Sequence, residues 1–393
     1  MWIYLLVFII TAIFAVLTRE NYVKYRAAKR CYNSINNSVI CTSTDMGVRR
    51  QKLKRNVKNK YYNYIFLLIL TIIPLLLLTG LRREVGTDVM YTYVPNFYRA
   101  RMGVPVDYNE FGFNLLLKLI ALFFASPTAL LFVTGGIYLT LILLVSIKYS
   151  DNTLISIAIL LLGCFYFLSL NNIRQSIATI IMVYAIRYMI KRRHIPFFIS
   201  LLIAVSFHYS AILMMIPYIF VNLRFVRKHF LLIVILSVAL LPVFSLLFRY
   251  VVSLTHYNYF LVSDFNNNRP NIINVLYNVI FFLTAFIVIY DKKKMNRIGF
   301  VLLSLQFFAM FFSLLSYFVP IGELLARVTT YFTIFQILLI PYVFKKIKLV
   351  DNKIAYLILC ISMYAIYMGY YIIIQGYYDV IPYVSVIGNP FVN

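Results

Sequence analysis

Charge is scarce in this sequence. Of its 393 residues, 12% are Asp, Glu, Lys or Arg, about half the share of ordinary soluble domains. With 63% hydrophobic residues, a soluble fold is excluded, because its surface could not be kept polar. Carboxylates are the rarer sign, 12 against 37 Lys and Arg, so a carboxylate-built metal site has little to draw on. There are only four Cys and four His. Cys164 and Cys360 fall in apolar segments, while Cys31 and Cys41 lie in a basic stretch with no CxxC spacing and no neighbouring His; this predicts neither a disulfide nor a metal site. Strict polar/apolar alternation over about ten residues is also missing, which excludes a transmembrane barrel.

What is present is apolar length. Runs of about 17 to 22 apolar residues recur from end to end, and at 1.5 Å per residue each can cross a hydrocarbon core about 30 Å thick. An all-α, polytopic membrane protein forming a single transmembrane domain over residues 1–393 is therefore expected, with the lipid bilayer as its first partner. The net charge of +25 does not point to nucleic acid, because the basic residues sit in short clusters between apolar runs rather than in one soluble domain. They read as topology signals.

The stretch 19–63 carries twelve Lys or Arg against Glu20 and Asp45, which predicts a basic cytoplasmic loop after a retained first span, 1–18, and an external N-terminus. Residues 64–80 then return outward to an external loop, 81–110. The cluster Lys191, Arg192 and Arg193 must be cytoplasmic too, and four crossings before it would violate that. The shortest candidate, 111–126, has Lys118 in its middle and ends at Ser126-Pro127, so it is predicted to be re-entrant or interfacial. Basic groups at both ends of 196–222 predict a second irregularity, two short helices broken at His208-Tyr209-Ser210. The spans expected are 1–18, 64–80, 128–147, 153–170, 175–190, 196–207, 210–222, 230–247, 271–290, 298–319, 327–344 and 354–374, about twelve in all, with another external loop at 248–270 and an external C-terminus.

On that topology the outward-facing cations are all arginine: Arg82, Arg83, Arg99, Arg101, Arg174, Arg249, Arg269 and Arg327. A guanidinium offers a rigid fork for phosphate, although arginine at a membrane interface also simply snorkels to headgroups. Asn171-Asn172-Ile173-Arg174-Gln175-Ser176 sets amides and a guanidinium at a helix start, where free N–H groups and the dipole favour an anion such as pyrophosphate; the plain alternative is a capped turn. His208 interrupts an apolar stretch and is a candidate general base, or a histidine satisfied by neighbouring hydroxyls. Gly86 permits a tight turn that can aim Thr87 and Asp88 into a cavity. Asp88 or Glu110 could serve as acid/base or bind sugar hydroxyls, or merely pair with arginines of their own loop. Tyr91, Tyr93, Phe97, Tyr98 and Tyr108 offer aromatic surface suited to sugar stacking or to an interfacial belt.

Taken in order, Arg-x-Glu-Val-Gly-Thr-Asp (82–88), Glu110-Phe111-Gly112-Phe113, Asn172-Ile173-Arg174-Gln175-Ser176-Ile177-Ala178 and Phe207-His208-Tyr209-Ser210-Ala211 resemble the EpsG family of exopolysaccharide and capsule polymerases, akin to Wzy-type enzymes. One departure is Val89, where an aromatic usually follows Gly-Thr-Asp. The resemblance implies a bacterial cytoplasmic-membrane glycosyltransferase that joins polyprenyl-pyrophosphate-linked oligosaccharide units on the outer face, without cofactor or metal, alongside a chain-length regulator and a flippase. His208 is then expected as catalytic base, with Asp88 or Glu110 as the second choice. Arg174, Arg327, Arg83, Arg82, Gln175, Asn172, Thr87 and Tyr331 are expected to bind pyrophosphate and substrate. A flippase for lipid-linked oligosaccharides or an O-antigen-ligase-like transferase would fit a similar outline; a flippase should show two related halves, and no internal repeat is visible.

Overall fold

The computed structural model describes residues 1–37, 44–255, 258, 261, 272–291, 295–319 and 322–386. Helices dominate, and among the described residues the only strand-like pairing is the isolated bridge Arg82–Ser385. Seven helices are long and apolar enough to cross a membrane, and three bent pairs raise the number to ten if each pair is one span. Length and composition thus support seven to ten spans among the described residues, and the expected twelve are not confirmed. The difference is the two limbs of the hairpin at His208, each too short to cross alone.

Within the basic stretch 19–63 the described residues are helical: they form the ends of two long helices, α1 (Trp2–Asn37) and α2 (Thr44–Gly80), and 38–43 lie outside the described residues. At about 54 Å for 36 residues, α1 outruns a hydrocarbon core of about 30 Å. Lys and Arg are good helix formers, and the pair is joined by tyrosine contacts such as Tyr22–Tyr64 and Tyr25–Tyr61, with ring centroids 5.3 and 5.4 Å apart. The expected loop 81–110 is likewise folded, holding a π-helical turn, Val89–Tyr93, and α3 (Val94–Arg101). In 248–270, a helix over Leu241–Ser253 covers the first residues, and most of the remainder lies outside the described residues.

Three helices define the two ends of the bundle. A Cβ on Gly80 would overlap the Phe132 ring, and one on Gly135 would overlap Thr79, so α5 (Thr128–Tyr149) begins beside the last turn of α2. It finishes beside the last turn of α8 (Ile173–Ile190), where Arg187 Nη1 donates to Tyr149 Oη at 3.4 Å. The helix α4 (Phe111–Phe123) lies just before α5 and starts next to Arg174, so it begins and ends at one end of the bundle. Its 13 residues span only about 20 Å. An extended Phe124 before Ser126-Pro127 stops it, as expected ahead of a proline.

Packing holds α4 in place. Phe113, Leu117, Ile120 and Ala121 recur at helical spacing and are buried with Val89, Tyr93, Phe97 and Tyr108 against the starts of α5 and α8. The opposite face, including Phe111, Leu115, Leu122 and Phe123, is exposed. In a membrane that face needs no water-excluding partner, so the attachment relies on close packing of the buried side.

The hairpin at His208 approaches from the other end. Helix α9 (His194–Phe207) runs in, a 3-10 turn (Tyr209–Met214) follows, and Met215–Asn222 runs back. Arg297 locks its return, donating through Nη2 to Asn222 Oδ1 at 2.8 Å and to the Met189 carbonyl at 3.1 Å. Fourteen residues in α9 reach about 21 Å. The tip therefore stops within the bundle, level with the start of α8.

This layout fixes relative sidedness. Cysteines at Ser126 and Arg83, both exposed, should react with an impermeant maleimide from one side of the membrane, and a cysteine at Lys191 from the other. Reaction of Ser126→Cys together with Lys191→Cys would show that α4 crosses.

Candidate active site

Four sequence segments meet where α4, α8 and the hairpin tip converge. Glu110 is the N-cap of α4, with extended backbone at φ −76° and ψ 112°, and its side chain is almost fully buried. Each carboxylate oxygen has its own partner. Oε2 accepts from Arg174 Nη1 at 2.7 Å, and Oε1 lies 3.0 Å from His208 Nδ1. A carboxylate only accepts, so Nδ1 carries the hydrogen and the neutral ring presents its lone pair at Nε2.

Energetics make the two partners jointly necessary. Removing a carboxylate from water costs several kcal/mol, one opposite charge at about 4 Å returns roughly 4 kcal/mol at an effective dielectric of 20, and a hydrogen bond to a charged group adds about 1.5–3 kcal/mol. Arg174 alone thus roughly offsets burial, and His208 tips the balance. Burial pushes the Glu110 carboxyl up, but the His208 hydrogen bond and the Arg174 charge outweigh it and hold the group below the ordinary glutamate value.

Arg174 is held on three sides. Its guanidinium lies 4.3 Å above the Tyr108 ring, its backbone N–H donates to Tyr93 Oη at 3.3 Å, and Glu110 takes Nη1. The Nε–H is buried without a hydrogen-bond partner, which leaves a donor for an anion. Tyr93 and Tyr108 are buried beneath the arginine rather than displayed for sugar stacking, whereas Tyr91 is 84% exposed.

Gly112 explains how α4 comes close enough. A Cβ there would overlap the Ser206 side chain and stand 3.0 Å from the Ser206 carbonyl oxygen. Two residues from Glu110 on one side and two from His208 on the other, this contact sets the distance across which the carboxylate meets the imidazole.

The remaining sequence candidates divide. Gly86, at φ +94° and with the Leu170 carbonyl oxygen 3.1 Å from where a Cβ would sit, makes the turn expected of it. That turn brings the Thr87 hydroxyl and the Asp88 N–H to Asn171 Oδ1 at 3.3 and 2.7 Å. Asn172 Nδ2 donates to Tyr378 Oη at 3.2 Å, and Gln175 Nε2 donates to the Arg327 carbonyl at 2.6 Å. Ser210 Oγ donates to the buried Tyr331 Oη at 3.1 Å. Arg327 lines a tyrosine-rich cavity together with Asn172. Arg82 is buried and donates to the carbonyls of Thr79 (3.2 Å) and Leu170 (2.7 Å), tying α2 to α7 (Phe165–Asn171). Arg83 is exposed and pairs with Glu84 at 3.2 Å.

That cavity is the feature sequence reasoning missed. Tyr367, Tyr371, Tyr377 and Tyr378 line it with Asn172 and Arg327. The only available signal was the density of tyrosine after residue 366, since Tyr378 is 206 positions from the Asn172 it meets. Among the described residues, no group of three His, Cys, Asp or Glu is arranged to hold a metal ion.

A multi-pass helical membrane protein with a carboxylate bridging a guanidinium and an imidazole is the class that this geometry defines. The EpsG family model matches residues 64–385, and the chain belongs to the EpsG family. The matched range includes Glu110, Arg174, His208, Arg327 and the C-terminal tyrosines and omits α1. Neither curated proteins nor solved structures gave a match.

Two outcomes follow. Because the folded Glu110 value is depressed, its contribution to stability is complete above the unfolded value of about 4.3 and fades as pH falls through the folded value. Glu110→Gln should therefore lower the Tm at neutral pH, and the gap to wild type should close in acid; a gap that stays constant would remove the carboxylate's charge from the argument. Gly112→Val should preserve membrane insertion but lower activity at least about tenfold by forcing α4 from α9, since misplacing a site by about 1 Å costs up to 100-fold. Unchanged activity would show that the approach is not needed.

Proposed function

We propose that this chain, a polysaccharide-polymerase-type membrane protein by its family, is a glycosyltransferase that extends a glycan by joining oligosaccharide units carried on a polyprenyl pyrophosphate. The reaction is placed at the Glu110 centre on the outer face of a bacterial cytoplasmic membrane. The observation that carries this reading is the buried Glu110 carboxylate shared by Arg174 and His208 at 2.7 and 3.0 Å.

The chemistry needs a base for the acceptor hydroxyl and positive charge for the departing pyrophosphate. His208 Nε2 takes the proton as the acceptor oxygen bonds to the anomeric carbon, and Glu110 stabilises the imidazolium through Nδ1. The bond from that carbon to the pyrophosphate oxygen breaks, and its electron pair leaves with the pyrophosphate. The charge that develops there meets the Arg174 Nε–H and, across the site, Arg327. The proton held by His208 is then released to water or to the leaving group. Glu110 has both oxygens engaged, which favours His208 over Glu110 as base. Asp88 reaches Asn171 through its backbone N–H and acts in this reading by shaping the substrate loop with Thr87. The cavity lined by Asn172, Arg327 and the C-terminal tyrosines offers hydroxyls, amides and rings of the kind that hold sugars.

Purified protein given a lipid-linked repeat unit should yield a ladder of longer glycans. Arg174→Ala and His208→Ala should abolish the ladder while inserting normally into the membrane, because each removes a group required in the transition state. Wild type that binds the lipid-linked unit yet makes no ladder would overturn the polymerase reading. A labelled lipid that only changes leaflets would favour a flippase, and glycan moved onto a different acceptor would favour a ligase.

A further inference from the structure

The far end of α8 carries a second cationic cluster with no role in the reaction above. Arg192, Arg224, Arg227, Lys228 and Arg297, with Val221 and Leu223, line a pocket of about 770 Å³, open solvent included. None of these residues is acidic. Arg192, Arg224 and Lys228 have no ion-pair partner among the described residues. Arg297 is fixed from behind by the Met189 carbonyl and Asn222 Oδ1, Arg227 by the Met295 carbonyl, and the Arg297 Nε–H is buried without a partner.

Backbone geometry adds an independent observation. Helix α8 ends in a Schellman turn, with Arg193 N donating to the Tyr188 carbonyl at 2.9 Å and Arg192 N to the Met189 carbonyl at 3.4 Å. The residue at the left-handed position of such a turn is usually glycine. Here it is Arg192, at φ +54°, a strained conformation of the kind that gathers at binding sites. The basic stretches of α1 and α2 spread their cations along exposed helix surface; this cluster gathers them around one cavity, where their mutual repulsion is relieved only by an anion.

We propose that this pocket binds a phosphate group, presented as the headgroup of an anionic membrane lipid in the leaflet opposite the Glu110 centre. Guanidinium forks match phosphate oxygens. The pocket lies at the end of crossing helices Ile173–Ile190 and Arg297–Leu315, on the side that the positive charge pattern assigns to the cytoplasm. Exposed Leu223, Phe225 and Ile298 border it and suit acyl chains, and basic pockets between membrane helices on that side commonly hold lipid phosphates.

The test is native mass spectrometry of the purified full chain, with Tm measured alongside, after adding phosphatidylglycerol, phosphatidylcholine or inorganic phosphate separately. Phosphatidylglycerol should be retained under activation that strips phosphatidylcholine, and should raise the Tm. The triple variant Arg192→Gly, Arg224→Gln, Lys228→Gln should lose at least about tenfold in retention. Arg192→Gly alone should also weaken retention while folding as well as wild type or better without lipid, since glycine accepts the left-handed turn; this separates lost binding from misfolding. Equal retention of the two lipids, or retention untouched by the triple variant, would overturn the proposal. Inorganic phosphate that reproduces the whole Tm rise while phosphatidylglycerol adds nothing would overturn presentation by a lipid and leave a soluble phosphate as the occupant.

Discussion

A carboxylate buried among membrane helices has no water to solvate it, so the protein must supply its solvation shell, and for Glu110 that shell is Arg174 on one oxygen and His208 on the other. Much of the surrounding architecture follows from keeping those three groups together. Helix α4 starts beside α8 at its N-cap Glu110, and its buried face packs against the starts of α5 and α8, which holds that N-cap in place. The hairpin must turn inside the bundle, because a full-length limb would lift His208 past the carboxylate. Tyr108 must lie under the guanidinium, because an arginine with one carboxylate contact still has a flat face to cover.

The parts of this centre were readable from sequence, but the bond between them was not. Arg174 stood out as a guanidinium at a helix start and His208 as an imidazole breaking an apolar run, and charge parity was enough to predict a short 111–126 and a break at 208–210. Glu110 was one of two interchangeable acids. Its separation from Arg174 by 64 positions and from His208 by 98 means that only folding α4 against α9 selects it over Asp88. The signal for that contact was Gly112, whose missing side chain admits Ser206, but a glycine in an apolar segment has no directional meaning until its neighbour is known. The helical ends within 19–63 were not legible for a simpler reason: charge tells where a segment sits relative to a membrane, whereas helix formation depends on backbone propensity, which lysine and arginine favour.

The expected twelve spans are not confirmed, and seven to ten helices qualify by length and composition. A count by apolar length assumes that each helix runs from one surface to the other. Three helices here bend sharply, by 51°, 73° and 45°, and the first breaks at Gly163-Cys164, where a Cβ on Gly163 would sit 2.8 Å from the Ile159 carbonyl oxygen and Cys164 takes φ +59°. Non-helical backbone at membrane depth is tolerated where protein rather than lipid surrounds it. The break after α6 (Thr153–Leu162) redirects α7 so that the Leu170 carbonyl meets Arg82 and Asn171 meets the Thr87 turn. Irregular backbone at this break thus helps to assemble the site.

The arginine-only pattern at this end also finds a physical reason beyond phosphate affinity. Arg82 reaches two carbonyls at once with separate nitrogens, Arg101 bridges the carbonyls of Ala121 and Phe124, Arg99 contacts both oxygens of Asp107, and Arg174 holds Glu110 while stacking on Tyr108. Only Arg82 uses the fork, one terminal nitrogen for each carbonyl, which a lysine cannot match; Arg99 and Arg101 make both of their contacts through a single Nη1. Three of these four arginines secure the chain around the centre, and the fourth, Arg174, belongs to it. Arg82 and Arg174 are more buried than Arg99 and Arg101, and what distinguishes Arg174 is its neighbours: a carboxylate that also holds His208, and an Nε–H with no partner.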